Sequence, residues 1–104
     1  MRVYISGKMT GLNRVEVMDR FFGAEGMLRK YGYDVINPAR MYDFNLSYAE
    51  FMLIDTTLVT MCDAIYMLNN WRDSNGAKEE LALAEAKGLK IMYEVEACQR
   101  IKNT

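Results

Sequence analysis

Apolar residues recur along this chain in two alternating rhythms. Short runs of β-favouring residues occur at Val3-Tyr4-Ile5, Tyr33 to Ile36, Ala64 to Leu68 and Leu89 to Tyr93, and turn-forming residues punctuate the chain between them. Elsewhere the spacing lengthens. Val17, Phe21, Ala24 and Leu28 follow one another at four, three and four, which predicts an amphipathic helix over about Arg14 to Lys30. Gly32 closes that helix, and Gly23 and Gly26 weaken it without abolishing the pattern. Asn37-Pro38 ends the second run, because proline cannot donate to a sheet and biases its predecessor away from helix. Ser47 can cap a helix over Tyr48 to Met61, and Ser74 or Asn75 can cap an Ala- and Glu-rich helix that runs to Lys87 and ends at Gly88. A last helix is predicted over Val95 to Lys102.

Strands that alternate with helices imply βα units and a parallel sheet with helices on both faces. We expect one domain over residues 1–104: a small doubly wound α/β fold, Rossmann-like or flavodoxin-like, with four strands in the order 2-1-3-4. In such a sheet ligands bind beyond the carboxyl ends of the strands, where the winding reverses. That point lies between the first and third strands. The two segments that converge there, Gly7 to Gly11 and Asn69 to Gly76, are the most turn-rich in the chain.

Composition narrows what this crevice can do. At 104 residues the chain supports one core. A net charge of −1 with 26% charged residues gives no single-sign field to gather nucleic acid polymers or membrane lipid. No apolar run approaches the ~20 residues of a membrane span, and the amino terminus reads as a strand rather than a secretion signal. Cys62 and Cys98 form neither a CxxC pair nor a disulfide framework, so a reduced, cytoplasmic setting is expected. The chain has no histidine. Acid and base chemistry therefore falls to Asp, Glu, Lys, Tyr or Cys, and neither a metal nor a cofactor is called for.

Two carboxylates stand out. Asp55 shares a helix face with Tyr48, Met52, Val59 and Cys62, where it would be buried with a raised pKa; with the neighbouring 51/54/58/61 face inward instead, Asp55 sits at a solvated edge. Spacing alone weighs these evenly. Glu80 shares a face with Ala77, Leu81 and Ala84 near a helix start, where the helix dipole would keep it ionised; taken by itself it reads, like Glu79, as a surface charge that complements the dipole. Ser74-Asn75-Gly76 reads as a phosphate-holding helix start or as a plain cap. Gly7-Lys8-Met9-Thr10-Gly11 is a weak phosphate-loop signal. Trp71 either stacks on a base or closes over the sheet edge. Cys62 reads as a core residue, with no visible cation to make a thiolate.

Together these segments resemble the nucleoside 2-deoxyribosyltransferase superfamily, including its 2'-deoxynucleoside 5'-monophosphate N-glycosidases and a group of short phage and bacterial members of unassigned function. Tyr4-Ile5-Ser6-Gly7-Lys8-Met9-Thr10-Gly11 looks like the YxxGxxxG opening. Asp55 through Cys62-Asp63 looks like the helix that ends in Asp before the third strand, and Ser74 to Leu81 looks like SxGxxxEL. The resemblance implies cleavage or transfer at the N-glycosidic bond of a (deoxy)nucleoside or its 5'-monophosphate, the alternative being a nucleotide-binding module without turnover. It implies Glu80 as the nucleophile, Tyr4 as the group that orients and activates it, and Asp55 as the group that protonates the leaving base. Gly7, Lys8, Met9, Gly11, Ser74 and Gly76 would cradle the sugar 5'-group, with Trp71 beside them. Lys8 and Thr10 depart from the glycosidase opening loop, and the Trp71 loop is a feature of the short unassigned group. Environments at Asp55 and Glu80 that push their pKa values apart would suit such a pair. So few residues cover the site that we expect a homo-oligomer whose neighbouring chain completes it.

Overall fold

The computed structural model describes residues 1–95. The elements run β1 (Arg2–Ser6), α1 (Arg14–Lys30), β2 (Asp34–Ile36), a 3-10 turn (Pro38–Met41), α2 (Tyr48–Thr60), β3 (Ala64–Met67), a second 3-10 turn (Trp71–Asp73), α3 (Asn75–Ala86) and β4 (Lys90–Tyr93). Apart from Val95, the helix expected over Val95 to Lys102 lies outside the described residues, as does Cys98. All pairings are parallel and the strand order is β2-β1-β3-β4, the doubly wound order that the hydrophobic pattern predicts. Ser6 pairs with Met67, so β1 and β3 end side by side at the reversal point.

Local chemistry starts each helix where the pattern places it. The Asn13 side chain accepts from the Glu16 N–H at the head of α1, and Ser47 and Glu50 form a reciprocal capping box on α2. Ser74 accepts from the Ala77 N–H at the head of α3. Gly32 and Gly88, at φ +88 and +75, reverse the chain after α1 and α3 in a conformation that L side chains rarely adopt. At the end of the sheet opposite the crevice, where the strands begin, Asp63 ties three strands together. Its carboxylate accepts from the Arg2 N–H, its own N–H donates to the Arg2 carbonyl, and its carbonyl accepts from Lys90.

The alternation of β1 divides the interior into two layers. Val3 and Ile5 pack with Val17, Phe21, Ala24 and Leu28 of α1 on one face. Tyr4 points the other way, among Val59, Ile65, Met67, Ala77, Leu81 and Ala84 beneath α2 and α3. A second tether fixes the chain after β2. Glu25 on α1 is buried and accepts from Arg29 (2.9 Å), Arg40 (2.7 Å) and Asn37 (3.0 Å). Burial alone would raise its pKa, but these hydrogen bonds outweigh burial and hold it at about 2.

α2 turns inward along the later part of the stripe that contains Asp55. Val59 is buried, Met52 and Asp55 are half-buried and Cys62 is buried just past the helix end, whereas Tyr48 at the start of that stripe is exposed and Phe51, Ile54 and Leu58 of the neighbouring stripe are half-buried too. Leu53 and Met61 stay exposed. The hydroxyls of Thr56, Thr57 and Thr60 donate to carbonyls of their own helix, which removes any need for polar partners on that side.

Candidate active site

Period-two alternation puts Tyr4 and Ser6 on the same face of β1, and both reach the same carboxylate. The Tyr4 hydroxyl donates to Glu80 Oε2 at 2.8 Å, and Ser6 Oγ donates to Glu80 Oε1 at 2.6 Å. All three residues are buried. Gly7 follows because nothing larger fits: a Cβ there would stand 2.7 Å from Leu68 Cδ1. The loop beyond it is anchored by the Lys8 N–H, which donates to Asn70 Oδ1 at 3.0 Å and so joins the loops after β1 and β3.

These loops wall a cavity of about 950 Å³, large enough for a nucleotide-sized ligand. Tyr4, Gly7, Lys8, Met9, Gly11, Asp55, Ser74, Gly76 and Glu80 line it together. Trp71 does not. It packs on the α2/α3 side of the sheet, with its ring 6.1 Å from that of Tyr93 and the Arg72 guanidinium 4.7 Å from its centroid. The structure places Trp71 away from the substrate side: the 3-10 turn directs its half-buried ring toward Tyr93 of β4, so that it closes over the sheet edge, the other position weighed for it. Tyr42, Tyr48, Phe51 and Met52 supply apolar walls that the motifs did not single out. Gly76 lets α3 begin hard against α2, since a Cβ there would sit 3.2 Å from Met52 Sδ and 3.4 Å from the Tyr48 hydroxyl.

The electrostatics differ from the expected split. Burial is the main cause that lifts Glu80 to about 7; the hydrogen bond from Ser6 opposes it, the charge of Asp55 adds to it, and the Tyr4 hydrogen bond opposes it again. Because α3 starts at Asn75, Glu80 lies past the first turn and beyond the unpaired N–H groups that would have kept it ionised. Asp55 is raised to about 6 by burial, and its Oδ1 is buried without a hydrogen-bond partner among the described residues. The two carboxylates thus titrate close together rather than far apart. Burial, then the charges of Glu80 and Asp55, push Tyr4 well above its ordinary value, so its hydroxyl remains a donor throughout the neutral range. Cys62 is pushed up to about 11, chiefly by burial, and is a buried thiol rather than a thiolate.

The profile of a family described as a domain of unknown function, DUF4406, matches residues 1–93. The chain belongs to the DUF4406 family. No curated protein matches this DUF4406 chain. Among solved structures its fold is similar to that of the CMP N-glycosidase BcmB of Clostridium botulinum, at 19% identity and a TM-score of 0.63, over 89% of this chain and 67% of that one. The DUF4406 domain therefore shares the fold of that N-glycosidase.

The motifs left Ser6 without a role. It lies inside the YxxGxxxG opening at a position that pattern does not specify, and its hydroxyl is as close to Glu80 as that of Tyr4. Strand periodicity is the signal that finds it: a polar residue two positions after Tyr4 shares its face, and among the apolar neighbours of β1 it needs a partner.

Proposed function

We propose that this protein acts at the N-glycosidic bond of a (deoxy)nucleoside or its 5'-monophosphate, with Glu80 as nucleophile. One observation carries the reading: a buried carboxylate, held through both oxygens, faces a nucleotide-sized cavity that also holds Asp55, whose buried Oδ1 has no hydrogen-bond partner among the described residues. The fold shared with a CMP N-glycosidase supports it. In the first step a Glu80 oxygen bonds to C1' as the C1'–N bond breaks. The bonding pair leaves with the base, which takes a proton from Asp55. In the second step water attacks C1', the Glu80 bond breaks, and Asp55 recovers a proton from that water. A second base in place of water gives transfer.

The productive form has one proton on the pair, carried by Asp55 with Glu80 ionised. Because burial raises Glu80 (about 7) above Asp55 (about 6), this is the minor of the two one-proton arrangements in the free protein, and turnover draws on it. Tyr4 keeps the Glu80 carboxylate oriented. In the same cavity the head of α3, with Ser74 and Gly76, and the Gly7 to Gly11 loop with Lys8 and Met9 would receive the 5'-group. The family match over residues 1–93 and the continuous sheet support a single domain over that span, within the proposed extent of 1–104. No helix among the described residues is long and apolar enough to cross a membrane, which fits the proposed cytoplasmic setting. The open cavity and the exposed apolar side chains of α2 fit a homo-oligomer.

Incubation with a panel of ribo- and deoxyribonucleosides and their 5'-monophosphates, read by chromatography for free base, tests the activity. A 2'-fluoro sugar substrate should leave its glycosyl group on Glu80, and digestion with mass spectrometry locates it. Binding of intact nucleotide without base release would reassign the cavity to a non-catalytic module, and a label on Asp55 would reassign the nucleophile.

A further inference from the structure

We propose that Ser6 is a positioning residue that pins one oxygen of Glu80 to the protein side, so that the other oxygen is the one presented to substrate. The inference rests on the reading of Glu80 as nucleophile, and its geometry is specific. Each carboxylate oxygen has its own neutral donor, Ser6 on Oε1 and Tyr4 on Oε2. Tyr4 lines the cavity and Ser6 does not. Ser6 is buried in the strand, with Leu68 donating to its carbonyl at 2.8 Å, so its Cα is fixed by the sheet. Oε1 is therefore held from the interior and Oε2 borders the cavity.

Two donors on two oxygens also stop the carboxylate from turning about its terminal bond. A carboxylate free to turn would offer either oxygen at variable angles to C1'. One held at both oxygens offers a single oxygen along a single approach, which is the benefit of pre-organisation. The same hydrogen bond favours the charged form and opposes the burial that raises the Glu80 pKa. Ser6 thus sets both which oxygen reacts and how much of Glu80 is ionised near neutral pH. Neither donor titrates in that range, so the hold persists across it.

The test follows the Glu80 carboxyl carbon by NMR in protein labelled at glutamate Cδ, with Glu80→Gln used to assign the signal. In Ser6→Ala the midpoint of Glu80 titration should rise by about one to two pH units. Ser6→Cys, which keeps a weak donor, should give a smaller rise. If a nucleotide from the panel is turned over, kcat of Ser6→Ala at pH 7 should fall about 5- to 50-fold relative to the unaltered protein, with KM unchanged; by pH 9 the gap between the two should largely close, while both lose activity as Asp55 gives up its proton. A serine that serves only the strand would lower the melting temperature and leave both the midpoint and the pH profile in place, and that result overturns the proposal. If no nucleotide is turned over by the unaltered protein, the N-glycosidase reading fails, while the NMR titration still decides whether Ser6 governs Glu80.

Discussion

Replacing Glu80 by Gln removes a charge that the fold holds at a cost, and the pH dependence of stability should reveal it. In the folded protein Glu80 titrates at about 7, against 4.5 for an unperturbed carboxyl. Between those values the native state keeps a proton that the unfolded state has lost, so stability falls as pH rises through this window. The sign is that of a raised pKa: the contribution is fully present below 4.5 and gone above 7. The rise is worth about 3 kcal/mol at about 1.36 kcal/mol per pH unit, and Glu80 is only 5% exposed, so solvent screens little of it. For a domain with a total stability of roughly 5–15 kcal/mol that is a large fraction. Urea unfolding at pH 4 and pH 8.5 measures it. The unaltered protein should lose about 3 kcal/mol more than Glu80→Gln over that interval, or on the order of 10–20 °C in melting temperature. Asp55 is present in both proteins, so the difference isolates position 80. Parallel stability curves would show that Glu80 is not desolvated as the structure has it, and the argument for its shared proton would fall with them.

Other perturbations probe separate parts of the molecule. Ser74→Ala should weaken a 5'-monophosphate more than the matching nucleoside in a titration by calorimetry, because a hydrogen bond to a charged group is worth roughly 1.5–3 kcal/mol; equal weakening would leave Ser74 as a cap alone. Gly7→Ala drives a methyl into Leu68 and should destabilise by about 1–3 kcal/mol in denaturant unfolding, whereas an unchanged midpoint would mean that the loop has room to shift. Glu25 has a depressed pKa, so the stability it contributes is present above 4.5 and is lost as pH falls toward 2. Circular dichroism on acidification should therefore show Glu25→Gln less stable than the unaltered protein at pH 6, with the difference shrinking as pH drops.

What could be read without coordinates follows from which interactions are local. The spacing of Val17, Phe21, Ala24 and Leu28 is sufficient for α1, and caps at Ser47 and Ser74 mark helix starts, because these signals lie within a few residues of what they determine. The strand order follows from βα alternation and the short connections. The site was legible as a meeting of loops. Its electrostatics were not, because Glu80 is governed by burial under α2 and by two hydroxyls more than 70 positions away in the chain. Trp71 illustrates the same limit, since a polar loop around an aromatic residue does not say that the ring folds back toward Tyr93. Asp55 could be resolved only once α2 showed where along its two adjoining apolar stripes it turns inward.

The division of β1 between two layers has a consequence for how errors in folding would be felt. Its odd positions, Val3 and Ile5, serve the α1 side, and its even positions, Tyr4 and Ser6, serve Glu80. A slip of one residue in pairing exchanges the two sets. Two hydroxyls would then enter the layer of Phe21 and Leu28 without acceptors, and two aliphatic chains would face a carboxylate stripped of its donors. Neither half of that exchange is tolerable alone, and both occur at once. The hydroxyls that prepare the carboxylate therefore also proofread the sheet: a chain misaligned by one position forfeits the packing of its interior together with the means to do chemistry, and no misaligned but competent species can accumulate.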